Sequence, residues 1–326
     1  MTKRTKTAVA AAAAAVLAST LIFQLYRIVG KGSSGQTQII LIVKALDETD
    51  FWTTLAEGAE TAAVEYDVQL TVMGPEYETE IDLQNEMILE AVEAQPDAVV
   101  LAPCSTVDTL PYARQITEAG IELVLADSTL EDDIAASVVA TDNYELGYKL
   151  GVYMSQFVDE DTVIGIVAHT PWTSTTLERE EGFKAGLGGA ASQVVETVYC
   201  NSDTELAYEL TVQMIEDYPG IDMIVGLTEY SSVGAAAAVR ELGLSDGICM
   251  AGIDSSIEQI KFLEEGVFET IGIQKPYNMG YLAVEAAVLA VQGQEVESVI
   301  DSGSEIVTRE NMYTEENQKL LFPVGE

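Results

Sequence analysis

Residues 39–66 read IILIVKALDETDFWTTLAEGAETAAVEY, an apolar run followed by an amphipathic stretch. The run at 39–43 is rich in branched apolar side chains, as expected of a strand that is buried on both faces. The following stretch at 51–66 has apolar residues at helical spacing, which predicts a helix with one buried face. That face contains Trp52, Leu55, Ala59, Ala62, Ala63 and Tyr66. The segment therefore predicts a strand and its covering helix, the unit from which parallel α/β folds are built.

The same unit recurs along nearly the whole chain after residue 38. Amphipathic stretches separate nine further apolar runs, each of which predicts a buried strand. The runs lie at 68–73, 98–102, 123–126, 138–140, 163–167, 194–199, 223–227, 248–253 and 270–273. Ten strands in two sets of five predict an α/β protein with two doubly wound lobes of similar size rather than one large sheet.

Length and charge narrow the class of protein further. The 326 residues correspond to one large or two ordinary domains. Five of the 15 basic residues lie in the first 31 positions and no acidic residue precedes Asp47, so the body has 10 basic and 54 acidic residues. Phosphate groups repel such a surface, which excludes nucleic-acid binding and a peripheral role on anionic lipid.

The N-terminus resembles an export signal. Residues 8–26 are apolar except for three polar positions and follow a basic start, which fits either a cleaved signal peptide or a retained membrane anchor within residues 1–31. Residues 32–37 then predict a short flexible linker. The first cysteine is Cys104, too late for lipid attachment after the apolar run. Under either interpretation the acidic body is extracytoplasmic, membrane-anchored or secreted.

The sequence favours a binding protein over an enzyme. Cys104, Cys200 and Cys249 are far apart in or beside apolar runs, which predicts structural thiols. His169 is the only histidine, which argues against a metal site and against a catalytic triad. A GxGxxA match at 186–191 precedes a strand, whereas a dinucleotide site must follow one. We therefore expect no catalytic residue, metal or cofactor.

The residues that follow the strands are the candidates for a ligand site, since ligands of open α/β sheets bind at the carboxyl ends of the strands. Asp127 and Asp254 follow strands of different sets, and each carboxylate can accept two hydrogen bonds from neighbouring hydroxyls. Phe51, Trp52 and Trp172 can stack on the C–H face of a sugar ring. The alternative interpretation is that the aspartates cap helices and that the aromatic residues belong to the core. Together they predict a site for an uncharged sugar or polyol.

Several segments in order resemble the ribose- and galactose-binding periplasmic proteins over about residues 38–326. The segments are the run at 39–46 followed by Phe51-Trp52, then Ala126-Asp127-Ser128, residues 140–147, Arg179-Glu-Glu-Gly182-Phe183, Gly252-Ile-Asp254 and Gln274-Lys-Pro276. The resemblance implies two Rossmann-like lobes joined by three crossovers that hinge around a sugar. It implies an N-terminal lobe at 38–141 and 276–301, and a C-terminal lobe at 142–275 and 302–326.

The resemblance also assigns ligand contacts. It implies contacts from Phe51, Trp52 and Asp127 in the N-terminal lobe and from Thr228, Asp254 and Gln274 in the second lobe and hinge; Trp172 is a further candidate from its chemistry.

Four positions depart from the ribose-binding pattern. Leu177 and Ser128 replace arginines, Thr228 replaces an asparagine, and Ser202 stands at about the position of a stacking phenylalanine. The loss of two guanidinium groups argues against ribose itself. Lys44 either faces the cleft or pairs with Asp47 or Glu48.

These features predict a monomeric binding protein that captures a sugar or polyol and delivers it to the permease of an ABC transporter. The alternative is a sensing subunit that presents its sugar-bound form to a membrane sensor kinase or receptor. In both cases the mechanism is closure, because a ligand that bridges both lobes stabilises the closed form.

Overall fold

Two six-stranded sheets organise the part of the chain that the computed structural model describes, residues 35–46 and 49–322. The predicted signal or anchor segment at 1–31 lies outside the described residues. Within the described ranges, no helix is both long and apolar enough to cross a membrane. From Thr37 onward the chain forms one compact unit that contains both sheets.

The first sheet has the spatial order β11-β5-β4-β3-β1-β2, with all neighbours parallel. Its strands are β1 (Gln38–Ile42), β2 (Gln69–Met73), β3 (Ala98–Leu101), β4 (Glu122–Ala126), β5 (Ser137–Ala140) and β11 (Val299–Asp301). The helices α1 (Asp50–Glu65), α2 (Ile81–Ala94), α3 (Leu110–Glu118) and α9 (Pro276–Val291) pack against it. This sheet and its helices form the first lobe.

The second sheet has the order β12-β10-β9-β8-β6-β7. Its strands are β6 (Ile164–Ala168), β7 (Val194–Tyr199), β8 (Met223–Gly226), β9 (Cys249–Ile253), β10 (Thr270–Gln274) and β12 (Ser304–Thr308). The helices of this second lobe are α4 (Asn143–Met154), α5 (Ser174–Leu187), α6 (Thr204–Asp217), α7 (Glu229–Glu241), α8 (Ile257–Glu265) and α10 (Glu315–Leu321).

Both faces of each sheet are covered, as the apolar strands predict. In the first lobe one buried cluster joins the strands to α1 and α9, and another joins them to α2 and α3. The predicted face of α1 is buried from Trp52 to Ala63. Helices α1 and α9 pack so closely that a Cβ atom on Gly280 would lie 1.9 Å from the backbone oxygen of Leu55. The second lobe has the same two-sided arrangement.

The prediction of two doubly wound lobes is confirmed, and all ten predicted strands are present with ends shifted by at most one residue. Two further strands, β11 and β12, extend the sheets. Strand β11 has only three residues, which are largely exposed, so no apolar run marks it in the sequence. Strand β12 runs antiparallel to β10, a departure from the parallel prediction. The chain enters β12 from the carboxyl edge of its sheet and must therefore run away from that edge.

The chain passes between the sheets three times, after β5, after β10 and after β11. The third passage is short, and Gly303 takes a left-handed conformation there, with φ at 89°. Because each passage leaves a strand at its carboxyl end, the carboxyl edges of the two sheets face a common cleft. The lobe boundaries given by the resemblance remain a prediction.

Candidate functional site

A cavity lies in the cleft between the two lobes and contains about 360 Å³ of space not filled by atoms, part of it open to solvent. Its lining combines ionisable, aromatic and uncharged polar side chains from both sheets. These are Lys44, Thr49, Phe51, Trp52, Glu78, Asp127, His169, Thr175, Arg179, Thr228, Glu229, Tyr230, Asp254 and Gln274. Six of the seven residues predicted from the sequence are therefore brought together around one cavity.

Asp127 is paired with a buried lysine in the wall contributed by the first lobe. Lys44 Nζ donates to Asp127 Oδ2 at 2.6 Å and to Ser128 Oγ at 2.5 Å, and Ser128 Oγ donates to the same carboxylate oxygen at 2.8 Å. Lys44 is 2% exposed. Lys44 lines the cavity, as one of the two roles left open for it requires, while its alternative partners Asp47 and Glu48 lie outside the described residues. One carboxylate oxygen of Asp127 takes both bonds, which leaves Oδ1 as an acceptor.

Asp254 has the corresponding place in the second lobe. Its Oδ1 accepts a hydrogen bond from Gln274 Nε2 at 2.7 Å, and its Oδ2 accepts one from the backbone N–H of Glu229 at 2.8 Å. Burial raises the pKa of Asp254, and the positive charge of Arg179 partly offsets this effect. Gln274 Oε1 is buried and has no partner among the described residues. The wall thus presents an acceptor without a donor, which a ligand hydroxyl can satisfy.

The backbone aims both carboxylates into the cavity. Asp127 and Asp254 have φ angles of 62° and 81°, in the left-handed region that residues other than glycine seldom adopt. Such conformations cost of order 1–3 kcal/mol and cluster at ligand sites. Asp254 does not cap the following helix, because Ser256 does so. Thr228 does cap α7, so its side chain serves the helix as well as the lining.

An aromatic pair forms part of the first-lobe wall. The rings of Phe51 and Trp52 meet edge to face, with centroids 4.9 Å apart. Trp52 is only 4% exposed, and its Nε1 donates to Glu78 Oε1 at 3.0 Å. Lys44 Nζ lies 5.8 Å from the centroid of the Trp52 ring, within the range of a cation–π interaction. These contacts fix the orientation of the indole.

Glu78 lines the cavity but was not among the predicted residues. It lies in the loop after β2, so the rule that selected the other strand-end residues would have found it, had that loop been included. Its Oε2 accepts a hydrogen bond at 2.7 Å from Ser202 Oγ of the second lobe. Burial raises the pKa of Glu78, while the charge of Lys44 lowers it. This carboxylate therefore touches both lobes.

His169 and its neighbouring threonines form a polar cluster in the second-lobe wall. Its ring nitrogens lie 2.8 Å from Thr176 Oγ1, 3.0 Å from Thr173 Oγ1 and 3.1 Å from Thr175 Oγ1. Burial holds the pKa of His169 well below its usual value, with help from the charges of Lys44 and Arg179. The imidazole is therefore neutral at neutral pH and can both donate and accept.

Arg179 supplies a guanidinium group to the cavity. Its Nε donates to Asn143 Oδ1 and its Nη1 to the backbone oxygen of Leu227, both at 2.8 Å. Leu177, which replaces a binding arginine of the ribose pattern, is 52% exposed and lies outside the lining. The cavity consequently keeps an arginine, but from a helix position two residues further along the chain.

Trp172 is the predicted residue that the structure places outside the cavity lining. It lies in the turn before α5, where its backbone oxygen accepts hydrogen bonds from the N–H and hydroxyl of Thr106 in the first lobe. The turn directs this residue to the contact between the lobes, and His169 and Thr175 occupy the wall instead. Stacking by Trp172 on a ligand in this cavity is therefore not part of the observed arrangement.

Comparisons with known proteins agree with this architecture. The sequence profile of a family described as periplasmic binding protein domain matches residues 39–295. The D-ribose/D-allose-binding protein of Pseudomonas aeruginosa is 23% identical over 284 residues, which cover 83% of this chain and 88% of that protein.

Two solved structures are similar as well. The structure of a sugar transporter from Clostridium phytofermentans is 38% identical, with a TM-score of 0.80, and the match covers 84% of this chain and all of that one. An ABC transporter solute-binding protein from Agrobacterium vitis with bound D-fucose is 26% identical, with a TM-score of 0.84, and covers 87% of this chain and all of that one.

Proposed function

This chain belongs to the periplasmic binding protein domain family, and on that premise we propose that it captures a monosaccharide or related polyol outside the cytoplasm and delivers it to an ABC transporter. The observation that carries the proposal is the composition of the cavity. Carboxylates from both lobes, a neutral imidazole and an aromatic pair surround it, and sugars need acceptors for their hydroxyls and an apolar surface for their C–H faces. The relatives named for sugars support the same ligand class.

Closure is the mechanism that this cavity supports. Asp127 of the first lobe and Asp254 of the second lie on the same cavity, so a sugar that hydrogen-bonds to both stabilises the closed arrangement over any open one. A transporter that recognises the closed form would then accept loaded protein in preference to empty protein. The acidic body favours a membrane partner with a basic docking surface.

A thermal-shift screen tests the ligand class. The unit from Thr37 onward is scanned against pentoses, hexoses, inositols, sugar acids and nucleosides. A ligand at 100 times its dissociation constant adds about 2.7 kcal/mol of stability, which raises the Tm by several degrees. We expect a hit among the neutral sugars or polyols. A shift given only by sugar acids or nucleosides, or by none of the compounds, would contradict the proposal.

A further inference from the structure

Polar contacts between described residues join the two lobes around the cavity without requiring any ligand atom. Two backbone amides of the first lobe donate across the cleft: Thr106 N to Trp172 O at 3.2 Å and Thr129 N to Ser174 Oγ at 3.0 Å. At a third point Ile257 N of the second lobe donates to Asp50 Oδ2 at 3.3 Å. The fourth contact, between Ser202 and Glu78, differs from these because it involves a buried carboxylate.

Each carboxylate oxygen of Glu78 accepts a hydrogen bond from a different lobe. One carboxylate oxygen holds the indole N–H of Trp52, and the other holds the hydroxyl of Ser202, with Glu78 itself 7% exposed. Hydrogen bonds to a charged group contribute more than those between neutral groups. The carboxylate therefore connects the aromatic wall of the first lobe with the backbone that follows β7 in the second lobe.

The sequence marks Ser202 as a departure from the ribose-binding pattern, which has a stacking phenylalanine at about this position. The serine takes a left-handed conformation, with φ at 55°, and so does the preceding Asn201, with φ at 52°. This backbone brings a hydroxyl to Glu78 where the related pattern brings a ring to the ligand.

We propose that Glu78 is a positioning residue of the sugar site, which orients Trp52 and, through Ser202, holds the second lobe closed over the cavity independently of a sugar. The effect of this bond on sugar binding follows from mass action. A larger closed fraction before binding means that less of the sugar's binding free energy is used for closure, and the apparent Kd falls in proportion. The inference rests on the proposed function only for this effect on sugar affinity.

Hydrogen exchange of the sugar-free protein tests closure directly. The full chain is exchanged in mild detergent, and the amides of Thr106 and Thr129 report on the cleft because they donate across it. Removal of the charge-assisted bond between Ser202 and Glu78 should make these amides exchange about tenfold faster, which corresponds to a change of about 1.4 kcal/mol in the free energy of opening the cleft. The variant Ser202→Gly deletes the hydroxyl and suits the positive φ, so the local backbone is retained. The amide of Ala102, which bonds to Ile42 within the first lobe, is the internal control.

A control variant and a double-mutant cycle test whether the effect comes from the bond between Ser202 and Glu78. Ser155→Ala removes a serine hydroxyl that donates to Val152 O within the second lobe, and it should leave the interlobe amides unchanged. In a Glu78→Ala background, Ser202→Gly should have no further effect on those amides, because the partner is already absent. Equal exchange in wild type and Ser202→Gly, or additive effects of the two substitutions, would overturn the proposal.

Measurement of sugar binding distinguishes a failure of this inference from a failure of the proposed function. Titration calorimetry with D-ribose, D-allose, D-arabinose and D-fucose should show that Ser202→Gly raises the Kd of whichever sugars bind, by a factor no larger than the acceleration of cleft exchange, and Ser155→Ala should not. If none of these sugars and no compound of the wider screen binds wild type, the proposed function fails, while the exchange result still decides the role of Glu78. An unchanged Kd together with faster exchange would overturn the coupling between closure and binding.

Discussion

Asp254→Asn separates the chemistry of the carboxylate from its structural role. The wild-type carboxylate accepts one bond from Gln274 Nε2 and one from the N–H of Glu229. The amide of the variant can keep the bond to Glu229 through its oxygen. Its NH₂ group then faces Gln274, whose own amide can rotate and present Oε1, the atom that lacks a partner in the wild type. We therefore expect a loss of stability of less than about 1 kcal/mol.

Sugar binding should respond differently in the same variant. A hydroxyl that donated to a carboxylate would face a neutral amide, and a hydrogen bond to a charged group is worth about 1.5–3 kcal/mol. The Kd measured by titration calorimetry should therefore rise by roughly 10- to 150-fold. Asparagine tolerates the left-handed φ of 81° at this position, so the backbone is preserved. Asp254→Ala should lose both affinity and stability, because two buried donors and the backbone conformation all become unfavourable.

Asp203→Asn is the control. This aspartate also lies in the second lobe and accepts a backbone N–H, that of Leu206 at 2.9 Å, as the N-cap of α6. Asparagine caps helices about as well as aspartate, so neither Tm nor Kd should change. If Asp254→Asn binds sugar with the wild-type Kd, the assignment of Asp254 to the sugar site is wrong. A large loss of stability would instead refute the rotation of the Gln274 amide.

Two further predictions concern the charges around the cavity. Lys44→Met should lower the free energy of unfolding in urea by about 3–5 kcal/mol, because it leaves Asp127 buried without its charged partner. The control Arg114→Met breaks the exposed pair with Asp132 and should lower it by no more than about 1 kcal/mol. Equal losses in the two variants would contradict the buried pairing. His169 has a pKa in the folded protein below its unfolded value of about 6.5, so the unfolded chain takes up a proton first and stability falls as the pH drops below about 6.5. His169→Asn should remove that part of the slope in urea unfolding between about pH 5 and 7, and an unchanged slope would show that His169 takes up its proton at the same pH in the native and the unfolded protein.

The fold could be predicted from the sequence because its signals are local. Strands such as β6 and β9 are continuous apolar runs, and the helices between them repeat apolar residues at helical spacing. Strands β11 and β12 escaped prediction for a physical reason. They are edge strands, only half covered, and their pairing depends on where the hinge returns the chain rather than on an apolar pattern.

The cavity was predictable only in part. Asp127, Asp254 and Gln274 could be selected because strand order alone places their strand ends at the cleft. The local sequence does not determine whether a residue in a turn lies at the cavity or at the opposite lobe, and for that reason Trp172 was predicted at the cavity but lies outside its lining. The bond between Glu78 and Ser202 joins residues 124 positions apart in different lobes, and it requires a left-handed serine that no sequence pattern indicates.

The distribution of the scarce positive charge explains how the cavity can hold so many carboxylates. The body of the chain has 10 basic residues against 54 acidic ones, yet two of the 10, Lys44 and Arg179, are buried in the cavity wall. Buried carboxylates on one cavity repel each other and would otherwise take up protons. Burial raises the pKa of both Glu78 and Asp254, and the charges of Lys44 and Arg179, respectively, offset part of that rise. The two cations therefore favour ionised carboxylates, the form in which these groups accept hydrogen bonds from the hydroxyls of a neutral sugar.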